Sequence, residues 1–265
     1  MAGPIKLMRY ALAGWVPGGS RDCVMCGHKV WRFMPYRTGS RGAPPLMPAL
    51  AVVGSDRDRF ECPRCGANDR ERHLLFYMRA TGLFERLRGM RVLHFAPERR
   101  LWPRIAAAMP PEYVRCDLFP TAPDVARVDI ESMPFADAAF DLVIANHVLE
   151  HVGDDGKAVR EVARVLAPGG FAILQTPYSS SLHRTWQDDG IGTPQARLQA
   201  YGQEDHVRLF GRDIFDRIIA AGFESHVRQH AELLGDVDPL GNGVNRDEPF
   251  FLFRKSGAAS TRAGD

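Results

Sequence analysis

Five short apolar runs constrain the fold of this chain most: residues 91–95, 112–116, 124–128, 140–145 and 171–175, separated by segments with helical spacing or turn residues. Runs of about five residues are too short for core helices and read as buried strands. Strands that alternate with helices predict a parallel sheet covered on both faces. One helix is expected over Arg70–Arg88, on the spacing of Leu74, Leu75, Met78, Leu83, Phe84 and Leu87. A second is expected over Asp154–Leu166, with Asp154 or Asp155 as its N-cap and Pro168-Gly169-Gly170 as its stop. The polar segment 178–203 reads as a lid or acceptor-binding loop, and 223–229 with 249–254 as a closing strand pair.

Four of the five cysteines form two C-x-x-C-G knuckles, Cys23-Val24-Met25-Cys26-Gly27 and Cys62-Pro63-Arg64-Cys65-Gly66. Such a turn places two thiolates on one side of a metal, and two turns complete a closed tetrahedral site suited to structural zinc. Cys23, Cys26, Cys62 and Cys65 are therefore the expected ligands of a zinc ribbon, with His28 and His73 nearby as substitutes. Between the knuckles, Arg41-Gly42-Ala43-Pro44-Pro45 reads as a loose insertion. Cys116 stands alone at the end of an apolar run and reads as a packing residue.

At 265 residues, 45% hydrophobic and 25% charged, the chain can bury one large core with a small appendage. Three segments are expected: 1–69 with the ribbon, 70–255 as the α/β domain, and 256–265 as a disordered tail. No apolar run approaches the roughly 20 residues of a membrane span. Lys6 and Arg9 interrupt the N-terminal stretch, so no secretory signal is expected and a cytoplasmic location is. Residues 1–115 carry 20 Lys and Arg against 9 Asp and Glu, whereas 116–265 carry 14 against 23. That asymmetry reads either as a solvated Arg-rich face or as a surface for an anionic partner.

In open parallel sheets, ligands bind beyond the carboxyl ends of the strands. Those positions hold His94-Phe95-Ala96-Pro97-Glu98, Asp117-Leu118, Asp129-Ile130, Asn146-His147 and Tyr178. A carboxylate such as Asp117, at the end of a second strand, can accept from both hydroxyls of a ribose. Asp129 and the Ile130 backbone can read an adenine edge. With Leu-His-Phe-Ala-Pro-Glu (93–98), His-Val-Leu-Glu-His (147–151), Arg-Val-Leu-Ala-Pro-Gly-Gly (164–170) and Asp-His-Val-Arg-Leu-Phe (205–210), the chain resembles the class I S-adenosylmethionine-dependent methyltransferases of the methyltransferase type 11 group over about residues 90–255. The resemblance implies a Rossmann-like α/β fold with a seven-stranded sheet whose last strands are antiparallel. It also implies S-adenosyl-L-methionine as cofactor, bound by His94, Phe95, Ala96, Glu98, Asp117, Leu118, Asp129, Ile130, Asn146 and His147. The chain departs from the group in lacking the usual acid and G-x-G loop after the first strand. Ala96-Pro97 must shape that loop, and Glu98 is the candidate to hold the cofactor's ammonium.

A methyl acceptor with an O or N atom can need a base. His206, His147 and Tyr178 are the catalytic candidates, with Arg208 as an anion clamp and His183 and Trp186 as further acceptor contacts. His147 and His151, read at helical spacing, fall on one face with no third metal ligand nearby. The leading expectation is transfer to a small-molecule acceptor, a natural product or sugar. An RNA methyltransferase gripping phosphates with the basic ribbon is the alternative, and a non-enzymatic ribbon that docks a partner is a third.

Overall fold

The computed structural model describes residues 4–257; the expected tail lies, from residue 258 onward, outside the described residues. Along the chain the strands are β1 (Arg21–Cys23), β2 (His28–Val30), β3 (Val52–Val53), β4 (Arg91–Phe95), β5 (Glu112–Asp117), β6 (Ala126–Arg127), β7 (Phe140–Ala145), β8 (Leu166–Ile173), β9 (Tyr178–Ser179), β10 (Phe223–Ser225) and β11 (Leu252–Lys255). The helices are α1 (Pro4–Trp15), α2 (Leu46–Ala49), α3 (Asp69–Ala80), α4 (Leu83–Arg86), α5 (Trp102–Ala107), α6 (Asp155–Val165), α7 (Pro194–Tyr201), α8 (Ile214–Ala220), α9 (His230–Leu233) and α10 (Pro239–Asn242).

One seven-stranded sheet runs in the order β10-β11-β8-β7-β4-β5-β6. Its five strands from β8 to β6 are parallel, and β11 and β10 close it antiparallel. This is a Rossmann-like α/β sheet, with the seven strands and the antiparallel closing pair expected from the sequence. Alternation along the strands divides the core. Leu93, Phe95, Val143 and Ala145 face Val159, Val162 and Val165 of α6 and Ile214 and Ile218 of α8. Val92, Leu142 and Ile144 face Leu74, Leu75 and Met78 of α3 and Ile105 of α5. No helix among the described residues is long and apolar enough to cross a membrane.

Local chemistry sets the boundaries. Asn68 and Glu71 form a capping box at the start of α3, and Gly82, at φ 69°, ends the helical run before α4 restarts it, so 70–88 is not one helix. Asp154 caps α6 by accepting from the Lys157 N–H. That helix passes directly into β8 at Leu166, so Pro168-Gly169-Gly170 lies inside the strand, where the pairing with β7 shifts register between Phe140 and Leu142.

The N-terminal segment shares the core of the sheet. Cys23, Met25, Val30, Phe33, Cys62 and Ala67 pack in the same cluster as Leu142, Ile144 and Ile173. Arg72 is wholly buried and donates to the carbonyls of Ala67, Arg59 and Gly243, tying the knuckle, the insertion and the α10 loop together. The stretch between the knuckles is ordered: α2 leads into β3, which pairs antiparallel with β9 immediately beyond the carboxyl end of β8. The insertion thus crosses from the ribbon to the ligand-binding edge of the sheet.

Candidate active site

Two cavities open at the carboxyl ends of the strands. The first, of about 540 Å³, lies beyond β4, β5 and β6 and falls within the range of about 300–1,000 Å³ typical of ligand pockets. Of the expected cofactor residues, Phe95, Ala96, Asp117, Leu118, Asp129, Ile130 and His147 line it. Asp117 caps the turn beyond β5 by accepting from the Phe119 N–H at 2.8 Å through Oδ1, which leaves its other oxygen uncommitted. Asp129 likewise accepts from the Glu131 N–H.

His94, Glu98 and Asn146 sit behind this wall. His94 is fully buried, with Nδ1 on the Tyr113 hydroxyl and Nε2 2.8 Å from Glu98, whose second oxygen accepts from the Asn146 amide. Burial works against the Glu98 charge, but His94 and Asn146 outweigh it and hold its pKa below the usual carboxylate value. The three residues brace the loop from behind, with both Glu98 oxygens committed. Ala96, at φ 46°, stands in the left-handed region that favours glycine. Ala96→Gly is expected to be neutral or stabilising, by up to about 1 kcal/mol, read from the denaturation midpoint.

The second cavity, of about 530 Å³, is walled largely by the insertion between the knuckles: Tyr36, Met47 and Phe60 supply apolar surface, with Tyr201 and His206 opposite. Arg57, Arg59 and Arg70 line it against a single acid, Asp56. Arg57 lies over the Tyr36 ring and its buried Nε has no partner, Arg59 pairs with Asp56 at 3.0 Å, and Arg70 donates to Ser55 Oγ. His147 lines both cavities and, among the described residues, is the only one they share.

His147 is not on a helix. It sits at φ 57° in the turn after β7, so its relation to His151 is not one of helical spacing. Its Nδ1 lies 3.2 Å from Glu150 and its Nε2 3.7 Å from Glu248. Burial and the Arg70 charge oppose protonation, yet the two carboxylates prevail and raise its pKa. Burial pushes His206 the other way, to about 4.

The remaining expectations fall elsewhere. Arg208 is buried and directs four of its five N–H donors at the carbonyls of Leu149, Val152 and Gly153 and at Gln187, so it braces the turn after β7 and lines neither cavity. Tyr178 packs against Phe215 and Phe251, with burial raising its pKa, and lines neither cavity. Trp186 stands edge-on to Tyr201, and exposed His183 is held by Arg212; both anchor the 178–203 segment. Arg57, Arg59 and Arg70, which line the second cavity, are not among the candidates that the sequence offered.

The four expected zinc ligands converge. Their sulfur atoms lie within 4.8 Å of one another, and Cys23 and Cys65 are 3.8 Å apart. A tetrahedron with zinc–sulfur bonds of about 2.3 Å has edges of about 3.8 Å, so the donor set fits zinc. Gly27 and Gly66 close the knuckles at φ 69° and 75°, donating to the carbonyls of Cys23 and Cys62. His28 turns onto the Cys26 carbonyl and His73 onto Glu248, so neither joins the cluster.

Residues 105–174 match a family model described as a methyltransferase domain. The matched segment runs from α5 through β5, β6 and β7 into β8, the parallel part of the sheet. The chain is similar to the malonyl-[acyl-carrier protein] O-methyltransferase of Erwinia billingiae, 35% identical over 81 residues, covering 29% of this chain and 32% of that protein. The enzyme of the same name from Halorhodospira halophila is 29% identical over 132 residues, covering 45% of this chain and 41% of that protein. The chain thus spans between about a third and two fifths of the length of these relatives. An S-adenosylmethionine-dependent methyltransferase structure from Mesorhizobium loti matches with a TM-score of 0.45 at 17% identity, covering 67% of this chain and 96% of that one.

Proposed function

We propose that this protein is an S-adenosylmethionine-dependent methyltransferase acting on a small acidic acceptor, with structural zinc in the Cys23, Cys26, Cys62 and Cys65 cluster. The observation that carries this reading is the pair of cavities with His147 as their common wall. One lies at the strand ends where a nucleoside cofactor binds, with Asp117 at the ribose position. The other is the size of a small acceptor and carries an excess of cationic groups.

When bound, the cofactor supplies an electrophilic methyl group on a sulfonium, which is displaced in line. The protein's task is mainly alignment, which can contribute about 7–11 kcal/mol. Neither imidazole at the junction supplies an ordinary general base: His147 is engaged by Glu150 and Glu248, and burial, which takes the His206 pKa to about 4, makes that ring a weak base. An acidic oxygen, ionised before transfer, needs no base, and Arg57, Arg59 and Arg70 favour that ionised form by charge. The charge expected of Arg208 is thus supplied by Arg57 and Arg59 of the insertion and Arg70 of α3.

Calorimetric titration tests the cofactor half. S-adenosylmethionine and S-adenosylhomocysteine are expected to bind one per chain with micromolar affinity, and absence of binding by folded, zinc-replete protein sinks the reading. A screen for S-adenosylhomocysteine release tests the acceptor half: carboxylate and phenolate acceptors are expected to turn over, and turnover of neutral acceptors alone overturns the acidic assignment.

A further inference from the structure

The two sequence motifs His-Val-Leu-Glu-His (147–151) and Asp-His-Val-Arg-Leu-Phe (205–210) are joined residue by residue in space. The Val207 N–H donates to the Glu150 carbonyl, Arg208 holds the carbonyls of Leu149, Val152 and Gly153, and Asp205 meets His151. This pairing brings a carboxylate oxygen of Glu150 and ring nitrogens of His151 and His206 within 4.8 Å of one another. In sequence His147 and His151 lack a third ligand; the fold supplies Glu150 and the distant His206 instead.

On both imidazoles Nδ1 lies against oxygen acceptors, which leaves each ring a lone pair on Nε2. His206 Nδ1 lies 3.1 Å from the Tyr201 carbonyl, which can only accept, so Nδ1 carries the hydrogen and Nε2 a lone pair. That Nε2 is buried without a partner, on a side chain 3% exposed. His151 repeats the arrangement, with Nδ1 directed at the carbonyl and carboxylate oxygens of Asp205. Glu150 is 1% exposed, with one oxygen accepting from Thr176 Oγ1 and the other 3.2 Å from His147 Nδ1. The outer hydrogen bonds that orient metal-ligating imidazoles and carboxylates are therefore in place on all three residues. Three acceptors facing one another with no donor between them are unfavourable unless a cation fills the gap.

We propose that Glu150, His151 and His206 hold a divalent transition-metal ion at the boundary of the two cavities, with a coordination position open to an acceptor oxygen. His206 lines the acceptor cavity, and His151 with Asp205 lines the other, so the ion stands where the two meet. Two imidazoles and one carboxylate suit a borderline first-row ion such as Mn²⁺, Co²⁺ or Zn²⁺, and three protein ligands leave the site open. Binding of the ion stands independently; its role in orienting an acceptor oxygen rests on the methyl-transfer reading.

The test uses the full chain with its cysteine cluster loaded with zinc. Mn²⁺ is titrated in and followed by loss of the free-ion electron paramagnetic resonance signal. One equivalent is expected to bind, and His151→Ala, at a partly exposed position, is expected to weaken it by roughly tenfold or more. His206→Gln, checked for folding by circular dichroism, is expected to do the same. The proposal is overturned if neither Mn²⁺ nor Co²⁺ binds the folded protein, or if both variants bind like wild type. Calorimetry with S-adenosylhomocysteine on the same sample separates the two readings. Ion binding without nucleoside binding keeps the metal site and removes the methyl-transfer role; nucleoside binding without an ion does the opposite.

Discussion

Cys62→Ser is expected to lose zinc and thermal stability together. Cys62 is buried in a cluster shared with Leu142, Ile144 and Ile173, so the metal site and the underside of the sheet form one cooperative core. Structural zinc contributes about 10–16 kcal/mol of binding free energy in isolated finger peptides. A variant with three thiolates and a buried hydroxyl forfeits enough of this to cost at least about 4 kcal/mol. For a chain of this size, at about 2–4 °C per kcal/mol, the melting temperature should fall by about 10 °C or more. Metal content by mass spectrometry and melting by calorimetry check both effects. The insertion that walls the arginine-lined cavity is suspended between the two knuckles, so, on the proposed reading, turnover should fall further than cofactor affinity in whatever fraction stays folded. A soluble, zinc-free variant that melts like wild type would contradict the structural role.

What was legible in the sequence was local or periodic. The apolar runs mark β4, β5 and β7 to within a residue, because buried parallel strands are almost uninterrupted apolar sequence. Asp154 announces α6 because an N-cap is a property of one residue and the turn after it. The knuckles are legible because four thiolates at that spacing have few other uses. Arg208 shows where such reading stops. Its residue type suits an anion clamp, but whether a guanidinium meets a ligand or three backbone carbonyls is decided by burial. The insertion was illegible for a related reason. Its Gly- and Pro-rich sequence carries no period, and the pairing of Val52 and Val53 with β9, which turns it into a cavity wall, joins residues more than 120 apart. The Glu150, His151 and His206 cluster hid behind a wrong local geometry. Read as a helix, 147–151 points its histidines together; as a turn with His147 at φ 57°, it presents Glu150 and His151 to the 205–210 segment instead.

Asp117→Ala should produce the largest loss of cofactor affinity among single substitutions in the first cavity. The residue ends β5, where the strand delivers a carboxylate to the cavity with one oxygen already fixed by the Phe119 N–H. That cap fixes the rotamer, so the second oxygen is held in place before a ligand arrives and little side-chain entropy is lost on binding. Hydrogen bonds to a charged group are each worth about 1.5–3 kcal/mol. Two of them to a ribose diol give about 3–6 kcal/mol, so S-adenosylhomocysteine affinity should fall by about 10²–10⁴-fold. Asp117→Asn keeps an oxygen for the Phe119 cap but loses the charge, and should fall between the alanine variant and wild type. Asp129→Ala should cost less, because Asp129 is exposed and its Oδ1 caps the Glu131 turn. Isothermal titration of the three variants orders these effects. Unchanged affinity in Asp117→Ala would place the nucleoside elsewhere on the sheet, and with it the route by which a methyl group could reach the arginine-lined cavity past His147.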